Sequence, residues 1–177
     1  MQRSLRPANI SRFRSLAIKL WRGSMSLTFH HGDLDSSDVQ ALLAYHFAQM
    51  RETSPPEACH VLPIDGLRHP TVTFWSAREE SMLMGIGALK EIASDHGEVK
   101  SMRTAPAALR RGVGRALLHH IVAMAQSRGY RRLSLETGSS APFAAALRLY
   151  ESEGFVPSGP FGDYRDTPFT RFFTRKL

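Results

Sequence analysis

The chain has 177 residues, 42% of them hydrophobic and 22% charged, a balance that suits one globular domain with a substantial core and argues against a chain disordered throughout. Cys59 is the only cysteine, which excludes an intrachain disulfide and a multi-cysteine metal site, and no run of about 18 apolar residues offers a membrane span. The net charge of +7 gathers at one end: Arg3, Arg6, Arg12, Arg14, Lys19 and Arg22 lie in residues 1 to 24 without an acid, leaving residues 25 to 177 close to neutral and arguing against a nucleic-acid-binding face.

Residues 1 to 24 therefore read as a basic extension ahead of a domain spanning 25 to 177. Ile10, Phe13, Ala17, Leu20 and Trp21 share one side of a helix there, a pattern also seen in surface-lying anchors. The segment lacks the apolar core and cleavage site of a secretory signal, so the expectation is a dispensable extension and a cytoplasmic location. Ser26 to His30 is β-prone. The cluster Gly32-Asp33-Leu34-Asp35-Ser36-Ser37 then supplies a turn and cap before a helix from Val39 to Met50, with Val39, Leu42, Leu43, Phe47 and Met50 at helical spacing. Arg51 to Pro70 contains four prolines and reads as a long surface loop with room for one short helix.

Thr71 to Arg78 and Met82 to Lys90 form a hairpin around Glu79-Glu80-Ser81, and Gly97 precedes a third strand, Glu98 to Thr104, closed by Pro106. Val113, Leu117, Leu118, Ile121, Val122 and Ala125 trace a helix ending at Arg128-Gly129. A strand from Arg132 to Thr137, a helix from Pro142 to Glu153 stopped by Gly154, and a last strand from Phe169 to Lys176 complete a mixed α/β domain. Its ligand mouth is expected where the Glu98 strand leads into the Val113 helix.

That junction reads Leu109-Arg110-Arg111-Gly112-Val113-Gly114-Arg115, with two glycines and three arginines opening an amphipathic helix. Small side chains let main-chain N–H groups approach an anion, the helix N-terminus adds partial positive charge, and arginine offers forked donors, so the segment suits a phosphate. No Lys-Ser/Thr pair follows Gly114, which argues against a P-loop hydrolase. The adjacent pairs His30-His31 and His119-His120 point apart on their elements, and no metal site is expected. His60, with Glu57, Asp65 and Arg68, lies in the proline-rich loop and either covers an acceptor or reflects ordinary loop polarity. Glu136 and Asp163-Tyr164 divide in the same way between an acceptor site and structural turns.

Met102-Arg103-Thr104-Ala105-Pro106, followed by the glycine pair, resembles the GCN5-related N-acetyltransferase superfamily, whose acetyl-CoA motif [QR]-x-x-G-x-[GA] falls on Leu109 to Gly114 with leucine in the polar first position. Ala146 to Phe155 is similar to its A-x-x-L-Y-x-x-x-G-F segment, with Phe143 where many members carry asparagine. Lys100 to Arg103, Leu133 to Ser139 and Gly159 to Tyr164 are similar to the YsnE-type branch. The resemblance implies an α/β fold whose mixed, mostly antiparallel sheet is splayed at the acetyl-CoA site and flanked by helices. It implies cofactor binding by Met102, Arg103, Thr104, Leu109, Arg110, Arg111, Gly112, Val113, Gly114 and Arg115. It also implies acetyl transfer from acetyl-CoA to a primary amine, on a small molecule before a peptide lysine, by direct attack in a ternary complex. In that reading main-chain N–H groups of Met102 to Thr104 polarise the thioester, and Tyr150 protonates the departing thiolate where it is not simply a packed core tyrosine; Glu98 either takes the amine proton or is an exposed, solvated glutamate at a strand start. The rival readings are a catalytically inactive acyl-CoA sensor or partner-binding module, and a nucleic-acid or membrane binder driven by residues 1 to 24. A homodimer stays open.

Overall fold

A computed structural model describes residues 26–55 and 60–177; the extension at 1 to 24, Glu57 and Cys59 lie outside the described residues. Central strands buried on consecutive residues and three-to-four spacing in the helices sort the chain into one sheet with helices on both faces. The strands are β1 (Leu27–His31), β2 (Val72–Glu79), β3 (Met82–Ala93), β4 (His96–Thr104), β5 (Arg132–Gly138), β6 (Val156–Ser158) and β7 (Thr170–Lys176), in spatial order β1-β2-β3-β4-β5-β7-β6. Every neighbour pair is antiparallel except β4 with β5.

Successive strand residues face opposite ways, so β2 and β3 serve two cores. Phe74, Ile86 and Ala88 pack with Val39, Leu42 and Leu43 of helix α1 (Ser37–Thr53) and with Leu67 of the short helix α2 (Ile64–Leu67). On the other face, Trp75, Leu89 and Val99 pack against Leu118, Ile121, Val122 and Ala125 of α3 (Val113–Ser127), and Tyr150 of α4 (Ala144–Ser152) joins the same cluster. Near α1, Arg78 fixes the β1–α1 turn: it donates to Asp33 at 2.9 Å and to Asp38 at 2.7 Å, while Ser36 and Ser76 also donate to Asp33. Against the opposing cost of burial, the Ser36, Ser76 and Arg78 hydrogen bonds hold the Asp33 carboxyl below its usual range, and Arg78 does the same for Asp38.

The glycines of β3 let α3 sit close to the sheet. A Cβ on Gly85 would lie 2.9 Å from the Arg103 carbonyl oxygen, 2.9 Å from Leu117 Cδ1 and 3.0 Å from Val113 Cγ1. Because one of these neighbours is backbone, relief requires α3 or β4 to shift. Gly85→Ala is therefore expected to cost about 1–3 kcal/mol, read as a lower urea midpoint at unchanged slope; an unchanged midpoint would show that the contact yields.

Besides shifts of a few residues at element ends, the start of the third strand and the edge of the sheet differ from the sequence reading. The third strand begins at His96, not after Gly97, because the β3–β4 hairpin turns at Ser94-Asp95 and Ala93 pairs with His96. Val156–Ser158 adds an edge strand to β7 that was not expected.

Candidate active site

The site begins where the sheet divides. β4 and β5 pair only from His96↔Arg132 to Glu98↔Ser134, after which each continues without pairing to the other. The β4 edge facing the gap thus carries main-chain N–H and C=O groups free of a strand partner on that side. Within the gap β4 is bulged: Ser101 has φ 51°, and the register with β3 slips between Ala88↔Lys100 and Ile86↔Arg103. The extra residue resets the alternation, so Lys100 and Arg103 reach the face carrying α1, while Met102 packs toward α3.

A cavity of about 180 Å³ fills this fork. It is bounded by the C-terminal half of α1 with His46, by His60 and Val61, by β4 from Val99 to Arg103, by Glu136 to Gly138, and by Phe143, Ala146 and Tyr150. Helices of both faces contribute to one wall because the cavity runs through the sheet where the strands part.

Its titratable groups are perturbed in ways burial and neighbours explain. Glu136 is pushed up to about 7, mainly by burial, with Glu98 adding repulsion and Lys100 opposing both. Burial pushes Tyr150 up to about 12, with a smaller contribution from Glu136. His46 is driven down to about 4 by burial and by the nearby Arg103 and Lys100, so its ring is neutral at pH 7 and its Nδ1 accepts from Arg103 Nε at 3.2 Å.

Glu98, read from the sequence as either a proton acceptor or an exposed strand-start residue, is not exposed and lies inside β4. It is 2% exposed and lies 3.2 Å from Lys100 Nζ. Tyr164 donates its hydroxyl proton to Glu98 at 2.5 Å and accepts from Lys100 Nζ at 2.5 Å, while Lys100 also donates to the His60 carbonyl at 3.1 Å. Burial and the Glu98 charge raise the Tyr164 phenol strongly, so it remains a donor. Phe161, Phe172 and His60 enclose Tyr164 with ring centroids 5.0–5.7 Å away. Glu98 lies behind Lys100 and is absent from the cavity wall.

The phosphate-type loop lies apart from this cavity, at the N-terminus of α3. Gly112 has φ 83° and caps the helix with no side chain bonding to its first turn, and a Cβ there would meet nothing within 4 Å. The first turn contains no acid. Uncapped N–H groups, open space and local positive charge together suit an anion. The three arginines are not equivalent, however: Arg111 is held by Glu79 at 2.8 Å and Arg115 by Glu153 at 3.2 Å, while Arg110, at φ 61°, has no carboxylate partner among the described residues. Leu109 is exposed. Gly114 stands near Thr104, since its Cβ would lie 3.5 Å from Thr104 Oγ1, so the end of β4 and the start of α3 are joined.

The structure thus brings Met102, Arg103 and Tyr150 to the cavity and keeps residues 109–115 at the helix end. Sequence reasoning missed Lys100 and His46, and left Glu136 and Tyr164 divided between two readings. Arg103 was placed with the cofactor through its main chain, and its side chain turns to α1. Asp65 and Arg68 do not join the cavity, and Arg68 pairs instead with Asp35 at 2.5 Å. His119 meets Glu153, and His120 stacks on Phe29 with centroids 4.2 Å apart, so that pair diverges around α3.

Comparison with known proteins agrees with this geometry. Residues 39–155 match the acetyltransferase (GNAT) family. The chain is 52% identical to the uncharacterised N-acetyltransferase YedL of Escherichia coli K12, covering 85% of this chain and 94% of the relative. It is 50% identical to the uncharacterised N-acetyltransferase YsnE of Bacillus subtilis 168, covering 82% and 96%. A GNAT family acetyltransferase from Elizabethkingia anophelis, solved with acetyl-CoA bound, shares the fold at TM-score 0.65 and 18% identity over 87% of this chain and all of that one (100%). The split sheet, the uncapped helix after the glycine pair and these matches have one conclusion: the chain belongs to the GNAT family and is an N-acetyltransferase.

Proposed function

We propose that the protein transfers an acetyl group from acetyl-CoA to the primary amine of a small molecule, by direct attack within a ternary complex. The observation that carries this reading is the cavity in the β4–β5 fork, which holds a deeply buried phenol and a carboxyl with a pKa near 7. The donor supplies an activated thioester when bound. Gly112, Val113, Gly114 and Arg115 direct main-chain N–H groups toward its diphosphate, aided by Arg110, and the β4 edge at Met102 to Thr104 offers N–H groups to the acyl oxygen. Domain organisation follows the same reading, with residues 25 to 177 as the transferase and 1 to 24 as a dispensable extension.

Within the cavity Glu136 takes the proton from the amine, because a carboxyl with a pKa near 7 is a stronger base than an ordinary carboxylate and is still substantially ionised at neutral pH. Glu98 acts at one remove, holding Lys100 and Tyr164 in place. Tyr150, protonated throughout the neutral range, donates to the sulfur as it leaves. Coenzyme A binding by calorimetry and thiol release from acetyl-CoA with a panel of small amines test the reading. Binding together with amine-dependent release is expected; a folded protein that binds no coenzyme A ends the proposal.

A further inference from the structure

We infer that the acceptor carries a carboxylate beside its amine, and that Arg103 is the residue that selects it. This inference rests on the transferase reading and adds the chemical class of the acceptor. Arg103 lines the cavity and reaches it only because the Ser101 bulge turns it to the same face as Lys100. The two cations differ in their partners. Lys100 is compensated by Glu98 at 3.2 Å, whereas Arg103 has no carboxylate partner among the described residues.

The partners of Arg103 are neutral: His46 Nδ1 accepts from Nε at 3.2 Å, and the Tyr45 ring lies 5.3 Å beneath the guanidinium carbon. Nη2 is buried with no acceptor, and burial lowers the pKa of the group, the mark of a cation taken from water without compensation. A half-buried guanidinium with one buried nitrogen unbonded and no carboxylate partner is costly, and an anion with a planar pair of acceptors removes that cost. Glu136 does not serve, because among the described residues Arg103 makes no ion pair with it. A ligand carboxylate does, and the same cavity holds Glu136 for the amine. One small molecule spanning both groups is an amino acid or a related amino carboxylate, and a cavity of about 180 Å³ limits its size.

The test is thiol release from acetyl-CoA with the standard L-amino acids, each beside its C-terminal amide and the corresponding amine without the carboxyl group. O-phosphorylethanolamine provides a phosphate arm. The wild type is expected to prefer at least one acid over its amide by about 100-fold in kcat/KM. Arg103→Gln should collapse that ratio, mainly through KM, while Arg103→Lys restores part of it; calorimetry with coenzyme A shows that each variant is folded. The wild-type ratio stands as a test even if a variant does not fold. Amides used as well as acids, a preference that survives in Arg103→Gln, or O-phosphorylethanolamine used in preference to every amino acid would each overturn the inference and leave the transferase reading intact. No thiol release with any amine would overturn that reading instead, and this inference with it.

Discussion

Tyr150→Phe is expected to lower kcat by about 100-fold while the dissociation constant for acetyl-CoA changes by no more than a few-fold. The substitution removes one oxygen and little else. Tyr150 packs edge-on against Phe155 with ring centroids 6.0 Å apart, and a phenylalanine keeps that contact, so the fold is expected to persist. The hydroxyl has no hydrogen-bond acceptor among the described residues, although the side chain is buried and lines the cavity. A phenol left without a protein partner at a cavity wall is free to donate to a ligand atom. With its pKa near 12 it holds its proton across the working range, so it acts as an acid and not as a base. Steady-state kinetics at saturating acetyl-CoA, beside calorimetry on the variant, separate the roles. An unchanged kcat would assign the tyrosine to packing; a large loss of cofactor affinity with kcat preserved would assign it to binding.

Much of this arrangement was legible in the sequence wherever periodicity and burial coincide. Val113, Leu117, Leu118, Ile121, Val122 and Ala125 all lie buried on α3, because a stripe at helical spacing has one way to meet a sheet. Gly112 takes the left-handed conformation at the helix start that a glycine there suggests. The misread boundary at Gly97 has a definite cause. That glycine is not a turn residue: a Cβ there would lie 2.7 Å from Leu89 and 2.8 Å from the Tyr130 ring, so the position is glycine to admit side chains within a strand. The edge strand Val156–Ser158 was missed because three residues around a proline give no alternation to read.

The acceptor end was harder to read for a different reason. Glu98 and Lys100 alternate like solvated strand residues, but they are buried together under Tyr164, which comes from a loop more than 60 residues away (|i−j| = 64 from Lys100). Hydrogen bonding to a phenol across such a separation leaves no local pattern. The bulge at Ser101 also reverses the strand parity, so simple alternation assigns Arg103 to the wrong face. Phe143 shows how a departure from a family pattern becomes intelligible in three dimensions. A Cβ on Gly138 would fall 2.2 Å from its ring, so the phenylalanine packs directly on β5 and lines the cavity at the position where the family pattern led to an expectation of asparagine.

Glu136→Gln tests the proton acceptor through two quantities that move in opposite directions. In the wild type, activity is expected to rise with pH through about 7, as the Glu136 carboxyl ionises and becomes able to take the amine proton. Glutamine cannot do this, so kcat/KM is expected to fall by about 100-fold and the limb near neutrality to disappear, while ionisation of the acceptor amine itself persists at higher pH. Stability should respond the other way. The folded carboxyl is raised from 4.5 to about 7, so between those values the unfolded chain has released a proton that the native state keeps. Stability is therefore greatest below 4.5 with respect to this group and declines as pH rises through 7. Removing the ionisation cancels the decline, and the variant should melt higher than the wild type at pH 8 and show a smaller difference at pH 5. A role confined to packing predicts neither effect. If melting follows this course but the pH–rate limb remains, the carboxyl is buried as argued and another group or water carries the proton; if neither changes, the raised pKa itself is wrong.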